Sequence, residues 1–331
     1  MKELIKNLTE TYGPSGSETR VRQLIEEEVR ALSDQVRVDS MGNLMALKKG
    51  DGSGRKVMLA AHMDEIGVIV THVDQKGFLR FGAVGGLRPL VLIGSRVLFA
   101  NGVTGTIGVE KLDSPNKVPP LDKLYIDVGA VSKDALSVGV GDAACFVRPF
   151  VDQGNRLTAK AFDDRIGCAI LIQTLRTLID TPHDVYFVFT VQEEVGLRGA
   201  RTSAYGVDPD VGIAVDVTTT GDTPEAHPMA VSLGNGPAIK VKDSGMLTHP
   251  GVKNLLIDTA ERLGLPYQIE VLERGTTDGY AMQVSRAGVP TGVISIATRY
   301  VHTPSEMIDY NDVLNSVKLL AGLLSNLIEL A

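Results

Sequence analysis

The stretch VMLAAHMDE, residues 57–65, is an apolar run that leads directly into His62, Asp64 and Glu65. A short continuous apolar run is typical of a strand that is buried on both faces. Three later runs end in the same way: 185–191 before Glu193 and Glu194, 211–215 before Asp216, and 292–297 shortly before His302. Ligands of open α/β sheets bind outside the carboxyl ends of the strands. We therefore expect these side chains to converge in one crevice.

A crevice that gathers carboxylates beside imidazoles is electrostatically unfavourable unless it holds a cation. In extended chain, His62 and Asp64 point to the same face, so Asp64 could accept the second ring N–H of His62 and fix the tautomer that ligates a metal. A solvated pair after a strand explains these two residues about equally well. Asp163 and Asp164 precede a predicted helix at Ile166, where helix capping accounts for one aspartate more easily than for two.

The residue types indicate which metal such a crevice would hold. Two imidazoles and several carboxylates without a thiolate suit Zn²⁺, Co²⁺ or Mn²⁺, and two metals bridged by one carboxylate would suit hydrolysis of an amide or a phosphate. The other four histidines, His72, His183, His227 and His249, are predicted to lie at the surface. The sequence has neither a GxSxG nucleophile motif nor a GxxxxGK[ST] phosphate loop.

Composition excludes several classes of protein. The chain has 331 residues, with 33 Lys and Arg against 40 Asp and Glu, for a net charge of −7. This acidic balance argues against binding to nucleic acid or to an anionic membrane. Its two cysteines form no CxxC motif, and we recognise neither a signal peptide nor an apolar run of about 18 residues. The expected compartment is the cytoplasm.

The chain changes character twice along its length. Residues 1–66 and 152–331 alternate helical and buried-strand patterns, which predicts one α/β domain with a central mixed sheet flanked by helices. Residues 67–151 instead show short alternating strands between glycines, the pattern of a small barrel or sandwich. We therefore expect a β-rich domain to be inserted into the α/β domain.

Five segments together resemble the M42 metallopeptidases, the TET-type glutamyl and leucyl aminopeptidases, some of which are labelled endoglucanases. The segments are AHMDEIG at 61–67, AFDDR at 161–165, QEEVG at 192–196, VD at 215–216 and YVHTPSE at 300–306. Their order and spacing match the family over essentially the whole chain. The resemblance implies a metallopeptidase α/β/α fold with a PDZ-like dimerisation domain, and dimers that assemble into a hollow dodecamer.

The resemblance also implies a site with two divalent ions, Zn²⁺ or Co²⁺ or else Mn²⁺. Asp163 would bridge both ions, although the sequence leaves Asp164 open as the bridge. His62 and Asp216 would complete the coordination shell of one ion, and Glu194 and His302 would complete that of the other. Glu193 would be the general base that helps a metal-activated water to attack the first peptide bond, and Asp64 would orient His62. Asp278, in GTTDG, would have a capping or supporting role.

The residues also allow two other functions. A glycoside hydrolase could use paired carboxylates, but imidazole ligands add nothing to that chemistry. A binding protein with a structural metal would normally lack an open coordination position and a free glutamate beside it. The sequence does not give the preferred N-terminal residue, although Arg299, Lys240 and Arg274 could favour an acidic one if they lie in the pocket.

Overall fold

In the computed structural model, which describes residues 1–112, 114 and 117–330, the chain forms a central sheet with flanking helices and a separate closed barrel. The helices are α1 Lys2–Glu10, α2 Thr19–Val29, α3 Pro89–Leu92, α4 Phe162–Thr177, α5 Arg198–Val207, α6 Pro250–Arg262, α7 Asp278–Gln283 and α8 Tyr310–Leu324. None of these helices, within the described part of the chain, is both long and apolar enough to cross a bilayer.

The strands fall into two groups. The sheet contains β1 Gln35–Val38, β2 Leu44–Lys48, β3 Lys56–His62, β10 Val151–Gln153, β11 Arg156–Ala159, β12 Asp184–Thr190, β13 Val211–Thr218, β14 Ala238–Lys242, β15 Gln268–Val271, β16 Thr291–Arg299 and β17 Glu306–Asp309. The barrel contains β4 Gly67–Val73, β5 Leu79–Val84, β6 Arg96–Phe99, β7 Thr104–Val109, β8 Leu124–Asp127 and β9 Ala143–Phe146.

The sheet is mixed, as predicted. Its main order is β1-β2-β12-β3-β13-β16-β17-β11-β10, with β14 and β15 branching from β16. The four apolar runs of the sequence form adjacent parallel strands, β12, β3, β13 and β16. Their carboxyl ends therefore meet at one edge of the sheet.

Both faces of the central strands are buried because helices cover each of them. Along β3, Val57 and Leu59 lie in the same core cluster as the apolar side of α4, whereas Met58 and Ala60 pack in a second cluster with residues of α5 and α7. Successive side chains of a strand point to opposite faces, so a strand between two helix layers has to be apolar at every position.

The barrel is inserted between β3 and β10. Its strands close in the order β4-β5-β8-β7-β6-β9 around a core of its own. Closure removes the exposed strand edges that an open sheet of this size would leave. The prediction of a small barrel or sandwich is thus resolved in favour of a barrel.

The sequence predicts that Asn311 caps the last helix, and the structure differs in this detail. Asn311 would be a reasonable cap for an apolar helix, but the residue that caps α8 is Asp309, whose carboxylate accepts the N–H of Asn311. Asn311 instead lies inside the first turn of the helix.

Candidate metal centre

The carboxyl ends of four parallel strands bring the predicted ligands together. His62 ends β3, Glu193 and Glu194 follow β12, Asp216 lies near the end of β13, and His302 follows β16. Ligand atoms of His62, Asp163 and Glu194 lie within 4.8 Å of one another, and so do those of His62, Asp164 and Asp216. The crevice expected from the strand ends is present in the fold.

Asp163 lies between the two imidazoles. Its Oδ1 is 2.9 Å from Nε2 of His62, and its Oδ2 is 3.3 Å from Nε2 of His302. Nε2 of His302 is also 3.3 Å from Oε2 of Glu194, and Nε2 of His62 is 3.9 Å from Oδ1 of Asp216. The two oxygens of one carboxylate therefore face two separate groups of ligand atoms.

Asp164 is equally close in space but differently engaged. Its Oδ2 accepts the backbone N–H of His62 at 3.1 Å, and its Oδ1 accepts the N–H of Gly167 at 3.0 Å, as a helix cap does. Both Asp163 and Asp164 have non-helical backbone angles before α4 becomes regular. Helix capping therefore accounts for the presence of Asp164. It does not account for Asp163, whose carboxylate faces the imidazoles instead.

Asp64 is fully buried beneath the centre and holds several of its parts. Its Oδ1 accepts the N–H of Glu193 at 3.0 Å, and its Oδ2 accepts the N–H of Glu194 at 3.2 Å and the hydroxyl of Ser15 at 2.5 Å. Nδ1 of His62 is 3.1 Å from the backbone oxygen of Asp64 and 3.5 Å from its Oδ1. Asp64 therefore fixes the imidazole and the backbone of both glutamates together.

The donor set fits divalent metal ions. Oε1 of Glu194 is buried and has no hydrogen-bond partner among the described residues. Within that same part of the chain, no Lys or Arg lies within ion-pair distance of Asp163, Glu193, Glu194 or Asp216. Buried carboxylates need a compensating charge, and nitrogen and oxygen donors of this kind suit Zn²⁺, Co²⁺ or Mn²⁺.

Without metal, the cluster would hold protons instead. Burial, reinforced by the charge of Asp163, raises the pKa of Glu194 to about 8 and that of Asp216 to about 7. Burial also raises the pKa of Glu193 well above its usual range. For His302, burial opposes protonation, but the hydrogen bond to Asp163 and the charge of Glu194 outweigh it and raise the pKa to about 10.

The loops around the centre are conformationally strained. Several non-glycine residues have positive φ angles there: Ala161, Gln192, Leu197, Tyr300 and His302. Such conformations cost on the order of 1–3 kcal/mol each and are typical of functional sites, where the surrounding fold enforces them.

Three further residues hold the ligands in place and were not recognised as doing so from the sequence. Glu306 is buried and accepts the N–H groups of both Asp163 and His302, each at 3.0 Å. Ser15 donates to Asp64, and Glu18 accepts the N–H of Gln192 at 3.2 Å. Glu306 ends the YVHTPSE segment, but nothing in the local sequence indicates which backbone groups it would reach.

One further sequence-based prediction is wrong, and the structure answers two questions that the sequence left open. His183 is buried rather than at the surface, and its two ring nitrogens contact the N–H of Arg55 and the backbone oxygen of Asn326. Lys240 is fully buried, 3.0 Å from Glu270, and does not line the cavity. Asp278 does not cap α7, because Thr277 does so; the Asp278 carboxylate accepts the hydroxyl of Thr190, and a supporting role for Asp278 stays a prediction.

A large cavity opens beside the cluster. Its volume is about 1440 Å³, and its walls include Asp163, Glu193, Glu194, Asp216 and His302. The ligand atoms are therefore accessible to a molecule much larger than water. A structural metal site would normally be closed on all sides.

Comparison with known sequences assigns the chain to a family. A sequence model described as M42 glutamyl aminopeptidase matches residues 42–319. A lysyl aminopeptidase of Pyrococcus furiosus is 36% identical over 98% of this chain and 97% of its own length.

Solved structures show the same fold. An aminopeptidase of the archaeon Desulfurococcus kamchatkensis superposes with a TM-score of 0.94 at 41% identity, covering 98% of this chain and 94% of its own. PhTET1-12s, a dodecamer in the asymmetric unit, superposes with a TM-score of 0.89 at 33% identity, covering 99% of each chain. A structure named as an endoglucanase of Thermotoga maritima gives 0.82 at 36% identity, covering 97% of this chain and 96% of its own.

Proposed function

The chain belongs to the M42 family and is an aminopeptidase, and from that premise we propose that it removes N-terminal residues from peptides with the help of two divalent metal ions. The observation that carries this proposal is the position of Asp163, whose two oxygens face the two imidazoles separately. A carboxylate that faces one imidazole with each of its oxygens would suit a pair of metal ions that share it.

The ligands divide into two groups around this bridge. His62 and Asp216 would hold one ion, and Glu194 and His302 the other, with Asp163 shared. The 3.3 Å between Nε2 of His302 and Oε2 of Glu194 supports the second group. The first group is supported by the ligand atoms of His62 and Asp216, which lie within 4.8 Å of each other. Asp164 is the weaker candidate for the bridge because its oxygens already accept two backbone N–H groups.

Bound divalent ions would polarise the scissile carbonyl and lower the pKa of an attacking water. The protein itself supplies the proton transfer. Glu193 lines the cavity, its Oε2 lies 3.9 Å from Nε2 of His62, and Asp64 anchors its backbone N–H. Glu193 would accept the proton of the water and deliver it to the departing amine, as a general acid–base catalyst does.

The same geometry disfavours the two alternatives. Two imidazoles flanking a carboxylate serve no step of glycoside hydrolysis, although one similar structure is named as an endoglucanase. A metal-dependent binding protein would have no need of Glu193 in an open cavity next to the ligands.

The test is a screen of aminoacyl-p-nitroanilides with protein loaded with Zn²⁺, Co²⁺ or Mn²⁺. We expect turnover with at least one metal, loss of turnover on chelation, and no release of sugar from carboxymethylcellulose. Hydrolysis of the cellulose that persists after chelation would support the glycosidase instead. Metal binding without turnover of any anilide would support the binding protein.

We also propose that residues 1–66 and 152–331 form the catalytic domain and that residues 67–151 form a dimerisation domain. A closed barrel with a core of its own adds surface that the chemistry does not need. Exposed apolar side chains on it, among them Leu90 and Val140, are available for contact with another subunit. Dimers would assemble into a dodecamer that admits peptides in the cytoplasm and excludes folded proteins.

A further inference from the structure

The cavity beside the metal centre has few charges of its own. Apart from the ligands and Glu193, its walls are mostly aliphatic and threonine side chains, such as Thr218, Thr220, Met229 and Val271. Arg88, Glu273 and Arg274 also line it, but they are exposed to solvent. Water and salt screen such exposed charges, so they attract a ligand only weakly.

Arg299 is the exception, because it is a half-buried cation in the wall. Its side chain is 24% exposed, and Arg299 is the last residue of β16, three residues before His302. A free guanidinium at this position would attract an acidic side chain of a substrate.

The Arg299 guanidinium is not free, however. Its Nε is 2.9 Å from Oδ1 of Asp222, and its Nη2 is 2.8 Å from Oδ2. The two residues therefore form a bidentate ion pair. Asp222 is 17% exposed and also accepts the N–H of Leu233 at 3.0 Å. The pair is therefore anchored to the backbone through Asp222, and its net charge is zero.

We propose that the Arg299–Asp222 pair makes this wall of the cavity electrically neutral, so that the enzyme selects substrates with an uncharged N-terminal side chain. This inference rests on the proposed aminopeptidase function. An acidic or a basic side chain would lose hydration in the cavity and would meet only exposed, screened charges there, not a buried and unpaired opposite charge. A neutral aliphatic side chain instead gains by burying apolar surface against the walls.

Removing either partner should expose the charge of the other. Asp222→Asn leaves Arg299 cationic and unpaired, so the ratio of kcat/KM for glutamyl- to leucyl-p-nitroanilide should rise by about tenfold, the effect of about 1.4 kcal/mol. Arg299→Gln leaves Asp222 anionic, so the ratio for lysyl- to leucyl-p-nitroanilide should rise to a similar extent. The two variants shift selectivity in opposite directions, which a merely structural pair would not do.

The experiment uses metal-loaded enzyme with leucyl, glutamyl and lysyl anilides. The wild type should prefer the leucyl substrate to both charged ones. Asp208→Asn is the matched control, because it removes the partner of Arg286, an exposed pair whose residues do not line the cavity. Both ratios, glutamyl to leucyl and lysyl to leucyl, should stay unchanged in this control.

The outcomes separate the two proposals. A wild type that prefers the glutamyl or lysyl anilide would overturn the role of the pair, and so would variants that lose all three activities in proportion while keeping their fold and metal. If one variant fails to fold, the opposite shift expected of the other still decides the matter. A metal-loaded wild type that turns over no aminoacyl anilide would instead refute the proposed function.

Discussion

Asp163 and Asp164 are neighbours in the chain, but their carboxylates have different surroundings. Asp163 presents one oxygen to His62 and the other to His302, whereas Asp164 accepts two backbone N–H groups. Glu193 and Glu194 differ in a similar way. Glu194 lies 3.3 Å from Nε2 of His302, whereas Glu193 lies on the side of His62. At both positions, adjacent carboxylates can serve as a ligand and as a supporting or reacting group.

Mutation should therefore distinguish the roles of Glu193 and Glu194. Glu194→Gln removes a charged ligand, so we expect lower metal occupancy by elemental analysis and, with it, lower activity. Glu193→Gln should retain both metals and lower kcat by about 10²–10⁴-fold, the usual contribution of a general acid–base. The reverse result, loss of metal in Glu193→Gln alone, would exchange the two assignments.

Metal loading should release protons near neutral pH. The pKa values of about 7 for Asp216 and about 8 for Glu194 mean that these groups hold protons in the metal-free protein at pH 7. Metal binds the deprotonated forms, so its apparent affinity should rise with pH. Calorimetric titrations in buffers of different ionisation enthalpy should detect about one or more protons released per chain. A binding enthalpy independent of the buffer would contradict this.

The same shifts predict how pH changes the stability of metal-free protein. Raised pKa values mean that the folded cluster holds more protons than the unfolded chain between pH about 4 and about 8, and His302, with a pKa of about 10, acts in the same direction. The free energy of unfolding should therefore fall as the pH rises through this range. Thermal melts of the metal-free and metal-loaded protein should diverge with rising pH. Melting temperatures of the two forms that change in parallel with pH would refute the prediction.

At the level of elements, the barrel and the sheet meet at the metal centre. The residues just after β5 lie against the ligands: a Cβ on Gly86 would be 2.5 Å from Nδ1 of His302, and one on Gly85 would be 2.9 Å from Oε2 of Glu194. The barrel therefore forms part of the wall of the centre, and its attachment to the sheet affects the position of two ligands.

Gly86→Ala should accordingly weaken metal binding at His302. The added methyl group would overlap the imidazole, which has to move because a Cβ contact of 2.5 Å is not sustainable. We expect reduced metal content and activity with the fold retained, measured by elemental analysis and circular dichroism. Gly139→Ala is the control, because its Cβ would meet no atom within 4 Å. Equal metal content in the two variants would show that the close approach is unimportant.

At the scale of the whole molecule, assembly would add a property that one chain lacks. The cavity with the ligands is open and large, about 1440 Å³, so a free monomer could expose it to any flexible chain end. A closed shell would restrict access to short peptides. Closed point-group symmetry is the usual outcome for homo-oligomers, and a similar structure is a dodecamer.

Light scattering on metal-loaded protein should therefore show twelve copies of the 35.4 kDa chain, with dimers after the metal is removed. Metal stabilises the state that binds it, so its loss should loosen the particle if the centre lies near the subunit contacts. A fully active monomer, or rapid degradation of folded proteins, would refute the compartment and leave the chemistry intact.

The sequence by itself determined the central strands and the set of residues at their ends. Apolar runs such as 57–61 and 211–215 form strands buried on both faces, because a strand between two helix layers has to be apolar at every position. The inserted β-rich domain, too, was indicated by its short alternating strands, although that pattern allowed a barrel or a sandwich. These features could be predicted because they are encoded in contiguous stretches of residues.

Only the tertiary structure decided which partner each polar side chain contacts. Sequence patterns could not distinguish the oxygens of Asp163 from those of Asp164, or show that Lys240 is buried beside Glu270 and that Arg299 pairs with Asp222, 77 residues away. Such contacts depend on the order of the strands in the sheet and on where the loops return. Burial and pairing across that distance are consequences of the whole fold, because no local stretch of sequence contains both partners.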